Sequence, residues 1–134
     1  MKGAGSVAPD RDRQRQRQVV DAFFAAARAG DFDGLIALLD PNVVLRADFG
    51  KRRAPAPAAS SGPSSIAVLA LTGARLPNSK LIPVLINGSA GVVITVGGRP
   101  FSMMGFILAG GKIVEMDAIV DSRRIARLAG AALR

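Results

Sequence analysis

The chain has 134 residues, about half of them apolar and a fifth charged, and carries a net charge of +8. That length fits one domain, which can bury roughly two-thirds of its unfolded-chain surface. It has no Cys, His or Tyr, which excludes a disulfide framework, a thiolate metal site and a thiol nucleophile, and removes the usual neutral-pH base and phenolic proton donor.

No apolar stretch approaches the ~18 residues needed to cross a bilayer. Met1 to Pro9 holds one lysine and no apolar segment, so it does not read as a signal peptide. The expected location is cytoplasmic, with no membrane association. The positive charge is concentrated in residues 1–17, 46–53 and 121–134, each +3, and the rest sums to about −1. Such patches are solvated surface or a face for an anionic partner. Six phenylalanines are the whole aromatic supply, too few for a base-stacking platform, so direct DNA binding is not expected.

Residues 1–17 read as a polar, basic N-terminal extension and 18–134 as a single domain. Val19, Val20, Phe23, Phe24 and Ala27 recur at three- and four-residue spacing, which predicts an amphipathic helix over 11–28. Its first turns are wholly polar and are expected to project beyond the core. Gly30 closes it in the C-cap position. Asp31 then caps a shorter helix carrying Leu35, Ile36, Leu38 and Leu39, stopped by Pro41. A strand is expected over 43–49.

Residues 50–65, rich in Pro, Ala and Ser, read as a mobile loop without regular structure. Ser64 or Ser65 opens a third helix with Ile66, Leu69, Ala70 and Gly73 on one side, ending at Pro77-Asn78. Four apolar runs follow, at 81–86, 91–96, 101–109 and 112–120. Between them stand Asn87-Gly88, Gly97-Gly98 and Gly110-Gly111, which supply the positive φ angles of tight hairpins. The pattern predicts an antiparallel meander whose first strand, holding Pro83, is an edge or carries a bulge. From Asp121 a closing helix returns. Helices on one face of an antiparallel sheet define an α+β fold, and a sheet bent around the first helix leaves an apolar cavity suited to a ligand.

The stretch from Val19-Val20-Asp21-Ala22-Phe23-Phe24 to Gly30-Asp31-Phe32, then Leu38-Leu39-Asp40-Pro41-Asn42-Val43-Val44-Leu45-Arg46-Ala47-Asp48, resembles the SnoaL-like domain of extracytoplasmic-function sigma factors. Pro83-Val84-Leu85-Ile86-Asn87-Gly88, Gly98-Arg99-Pro100 and Gly111-Lys112-Ile113-Val114-Glu115-Met116-Asp117 extend the resemblance. It covers roughly residues 18–130 and implies the cone-shaped nuclear-transport-factor-2-like fold. It implies a domain that modulates transcription initiation through contacts with sigma-factor core regions or RNA polymerase. The promoter-binding regions of such factors have no counterpart here, so the chain reads as a fragment or a free-standing relative.

Two family elements can be placed. An Asp-Gly-Gly-Gly-Arg-like element maps onto Asp48, Gly50 and Arg52, and an Asn-Pro-Asp-Lys-Leu-like element onto 121–125, where Asp121 and Arg124 are the contact candidates and the middle acid has become Arg123.

The same fold hosts isomerases, hydrolases and cyclases, so chemistry must be argued from residues. Arg46 and Asp48 share a strand face and are either an activated pair in the pocket or a surface ion pair. Glu115 and Asp117 share the face opposite Val114, Met116, Ala118 and Val120. They lie outside or at a subunit interface, or form a buried acid pair. An enzyme would use Asp48, Arg46 and Asp117. Otherwise the expected role is non-catalytic binding, with Phe23, Leu45, Met103 and Met116 as ligand-lining side chains. Met103 and Met104 point to opposite faces, so one of the two is expected in the cavity. No cofactor and no metal are implied. Apolar positions on both faces of 91–109 predict a homodimer through the outer sheet face.

Overall fold

The computed structural model describes residues 12–48, 58–120 and Ile125. Helix α1, Arg13–Ala29, starts where the Asp12 carboxylate accepts from the amides of Gln14 and Arg15 and ends at Gly30. Val20, Phe23 and Ala27 form its buried stripe, as the spacing predicts. The polar first turns do not project beyond the core, however. Gln16 is buried, its Oε1 accepting from the Ala90 amide at 3.0 Å, and Arg17 Nη2 donates to the carbonyls of Val84 (3.0 Å) and Gly91 (3.1 Å). Helical spacing cannot show that long polar side chains are reaching for strand backbone.

Asp31 caps the second helix, α2, Phe32–Leu38, by accepting from the Gly34 amide at 2.9 Å. The first strand, β1, spans Leu39–Asp48 and so begins before Pro41 rather than after it. Pro41 lies in an irregular stretch between Leu39 and Val44, where the Asn42 amide donates to the Asp40 carboxylate. Pro lacks the amide that regular pairing requires.

The region expected to lack regular structure contains a short strand, β2, Ala58–Ser61, antiparallel to β1. Residues 49–57 lie outside the described residues. Helix α3, Pro63–Gly73, opens at Pro63 rather than at a serine, because proline's fixed φ suits a first helical turn. The meander follows as the hairpin signals predict: β3 Ser79–Ile86, β4 Ser89–Val96, β5 Arg99–Ala109 and β6 Lys112–Ile119. Both residues of each intervening dipeptide have positive φ, from 52° at Asn87 to 81° at Gly88 and Gly98. Pro83 sits in β3, an outermost strand of the sheet, where no neighbour needs its missing amide.

The sheet order is β2-β1-β6-β5-β4-β3. Its meander is antiparallel, but β1 joins β6 in parallel, pairing Leu45 with Met116 and Asp48 with Ile119. The sheet is therefore mixed, and the fold is α+β with α1, α2 and α3 against one face of a curved sheet. Pattern along a strand does not reveal pairing direction, since the two partners are about 70 residues apart. The expected closing helix lies outside the described residues except Ile125, which is helical and fully buried.

The main core lies between helices and sheet and gathers Val20, Phe23, Leu35, Val43, Ile66, Phe106, Leu108, Ile113 and Met116. Each large apolar side chain shut from water there contributes about 1.5–3 kcal/mol. A second, smaller cluster on the opposite sheet face packs Ile125 against Val84, Val93 and Met103.

Candidate functional site

A cavity of about 190 Å³ opens between α1, α3 and the concave face of the sheet. Phe23 and Phe24 form its helix-side wall. Their rings meet edge-to-face at 5.4 Å, and Phe106 packs against both, at 6.1 and 5.9 Å between centroids. Such contacts fix ring orientation beyond what area burial alone does. Ile66, Leu69, Ala70 and Gly73, the predicted common side of α3, all border the cavity. Leu81, Ile94, Leu45, Met104 and Met116 complete the sheet side.

A bulge shapes the mouth. Ile94 pairs with Ser102 while its neighbour Thr95 pairs with Pro100, so Phe101 is an extra residue in β5. A bulge bends its strand and re-aims side chains, and here the consecutive residues Phe101 and Ser102 both line the cavity. Among the described residues, the only other polar lining residues are Arg28 and Ser79.

Of the four side chains expected around a ligand, Phe23, Leu45 and Met116 line this cavity and Met103 does not. Met103 pairs with Ile119 on the outer face and packs beside Ile125, while its neighbour Met104 faces inward. Sequence reading missed Arg28, Phe24, Ser79, Phe101 and Ser102. The periodicity of α1 had already placed Phe24 beside Phe23, but nothing in the sequence marks the bulge.

The acids lie elsewhere. No carboxylate lines the cavity among the described residues. Arg46 stands opposite Asp117 in the β1–β6 register and forms an ion pair with Glu115, with Asp117 at 4.0 Å. Arg46 and Asp117 are both half exposed, so this is a solvated cluster on the outer face, with individual pairs worth about 0–1 kcal/mol. The arrangement contradicts Arg46 and Asp117 as a pocket pair. Asp48, in register with Ile119, shares that outer face, and its carbonyl accepts from the Val120 amide at 2.7 Å. Gly50, Arg52, Asp121 and Arg124 fall outside the described residues. Among the described residues no cluster of acidic side chains could hold a metal ion, and no helix is long and apolar enough to cross a membrane.

Two helices and then a third closing over a strongly bent sheet, with the cavity between, can be compared with solved structures. An NTF2-like protein of unknown function from Mesorhizobium loti superposes with a TM-score of 0.62 at 17% identity, over 84% of this chain and 96% of that one. The fold is NTF2-like. The same fold appears in the extracytoplasmic function sigma factor SigJ of Mycobacterium tuberculosis, with a TM-score of 0.62 and 23% identity over 83% of this chain; the match spans 44% of that chain. It appears too in a ketosteroid-isomerase-like protein from Kribbella flavida, with a TM-score of 0.56 and 14% identity over 81% of this chain and 79% of that one. No protein-family model matches the sequence, and no curated protein matches it in sequence. NTF2-like architecture thus carries quite different roles, and the cavity's own residues must decide between them.

Proposed function

We propose that this chain is a non-catalytic NTF2-like binding domain, related to the SnoaL-like domain of extracytoplasmic-function sigma factors. In this reading it takes a small apolar ligand and modulates transcription initiation in the cytoplasm through contacts with sigma-factor core regions or RNA polymerase. The observation that carries the binding role is the cavity lining: apolar side chains, two serines, one arginine and no carboxylate among the described residues. Burial of an apolar molecule needs only such a wall. Proton abstraction or hydrolysis needs a base within reach of the reacting atom, and Asp48 and Asp117 stand on the opposite sheet face. The alternative, a small isomerase, hydrolase or cyclase with a pocket carboxylate, shares its fold with the ketosteroid-isomerase-like protein, but no carboxylate lines the apolar cavity among the described residues.

The regulatory half is supported by the fold shared with SigJ and by the sequence resemblance. Asp48, Gly50, Arg52, Asp121 and Arg124 would make the contact. Self-association would use the outer sheet face, where Ile107 is exposed. The test is retention of sigma factor or core polymerase by immobilised chain at low salt. Retention supports the reading, and its absence refutes the regulatory half.

A further inference from the structure

We infer that the cavity selects a small monoanion with an apolar body, of the aryl or short-chain carboxylate class. This rests on the reading of the cavity as a ligand site and goes on to say which chemistry fits it. A cavity of about 190 Å³ is somewhat larger than the ~150 Å³ engineered void that admits benzene. It therefore suits one ring with a short substituent, or a chain of similar bulk.

The polar groups are gathered at one end. Gln16 and Arg17 fix the start of α1 over Ala90, Val84 and Gly91, near the turn between β3 and β4. Arg28, in its last turn, thus stands toward the other end of those strands. Ser79 opens β3 there, and Ser102 pairs with Ile94 two residues before β4 ends. All three border the cavity. Ser102 is 5% exposed, and a serine hydroxyl can donate to a bound anion.

Arg28 has no ion-pair partner among the described residues, and neither have Arg75 and Arg99 at the same end. Arg75 lies between the lining residues Ala74 and Leu76, and Arg99 opens β5. The nearest acids in sequence to Arg28 are Asp31, occupied in capping α2, and Asp33 in the first turn of that helix. The mouth thus combines excess positive charge with hydroxyl donors above an apolar chamber. An anionic head at Arg28 would satisfy that charge, and Ser79 and Ser102 would donate to its oxygens while the ring or chain packs against Phe23, Phe24 and Met104.

The experiment is titration calorimetry of the whole chain with phenylacetate, its neutral isostere phenylacetamide, and ethylbenzene. Phenylacetate is expected to bind about tenfold more tightly than phenylacetamide, with Arg28→Gln shrinking that ratio to about two. Ser102→Ala is expected to weaken both oxygen-bearing ligands and leave ethylbenzene unchanged. Melting curves check that both variants fold. A wild-type ratio near one, or a ratio that Arg28→Gln leaves intact, overturns the anion selectivity. Binding of ethylbenzene alone overturns it too but leaves the ligand site standing. Binding of none of the three overturns the ligand site itself.

Discussion

Replacing Arg17 by methionine tests whether the polar start of α1 holds the helix to the sheet. Methionine keeps an unbranched apolar stem and a comparable helix propensity, so the change isolates the guanidinium. Two hydrogen bonds are lost, to the carbonyls of Val84 and Gly91, which lie 67 and 74 residues away. A hydrogen bond from a charged donor contributes about 1.5–3 kcal/mol when buried. Here the side chain is 25% exposed, so water can replace part of each bond. Nη1 is also buried without a hydrogen bond, so its removal returns some desolvation cost. The balance is a loss of about 2 kcal/mol, and for a domain of this size a fall in Tm of roughly 5–8 °C. Asp21, 3.9 Å from Arg17 and 64% exposed, should matter little, and Asp21→Asn is the control. Thermal and urea denaturation followed by circular dichroism read both. A shift below about 1 °C for Arg17→Met, or an equal shift for Asp21→Asn, would refute the claim that the strand carbonyls are what Arg17 serves.

Two further outcomes follow from the same geometry. At Gly91 an added Cβ would lie 2.5 Å from Ile86 Cδ1 and 2.7 Å from the Met104 carbonyl oxygen; the backbone carbonyl cannot yield as the side chain can, so Gly91→Ala should destabilise by about 1–3 kcal/mol, read as a lower urea midpoint at unchanged slope. Ile107→Asp puts a charge on the exposed outer sheet face and should shift the protein to monomer in light scattering without lowering Tm by more than a few degrees; an unchanged mass from a dimeric parent would place the interface elsewhere.

Most of the fold was legible because local chemistry announces itself. Asp31 as a cap, Gly30 as a stop and three dipeptides with positive φ each follow from short-range backbone needs. What stayed hidden is non-local. The reach of Gln16 and Arg17 to strand backbone, the parallel seam between β1 and β6, and the strand at 58–61 all depend on which distant segment lies alongside. The site divides the same way. Alternation favoured Met116 inward but left the face of β1, and so Leu45, open, and it allowed one of Met103 and Met104 without choosing between them. The extra residue at Phe101 shifts the register of β5, so Ser102 at the mouth was invisible. The acids show the converse: Arg46, Asp48, Glu115 and Asp117 were paired by alternation, yet only the seam between their strands reveals that they meet on the outer face.

That seam also governs how the chain must fold. β1 ends at Asp48, and its parallel partner β6 begins at Lys112, so the centre of the sheet closes only when segments more than 60 residues apart meet. Loop-closure entropy is spent before any of that pairing is repaid, which slows the search. The meander β3–β6, built from adjacent hairpins, can form ahead of that seam, but until it does the apolar stripe of α1 has no sheet to cover it. As the chain leaves the ribosome, Val20, Phe23 and Ala27 are therefore made early and sheltered late, and that interval is when the protein is most exposed to aggregation or to a chaperone.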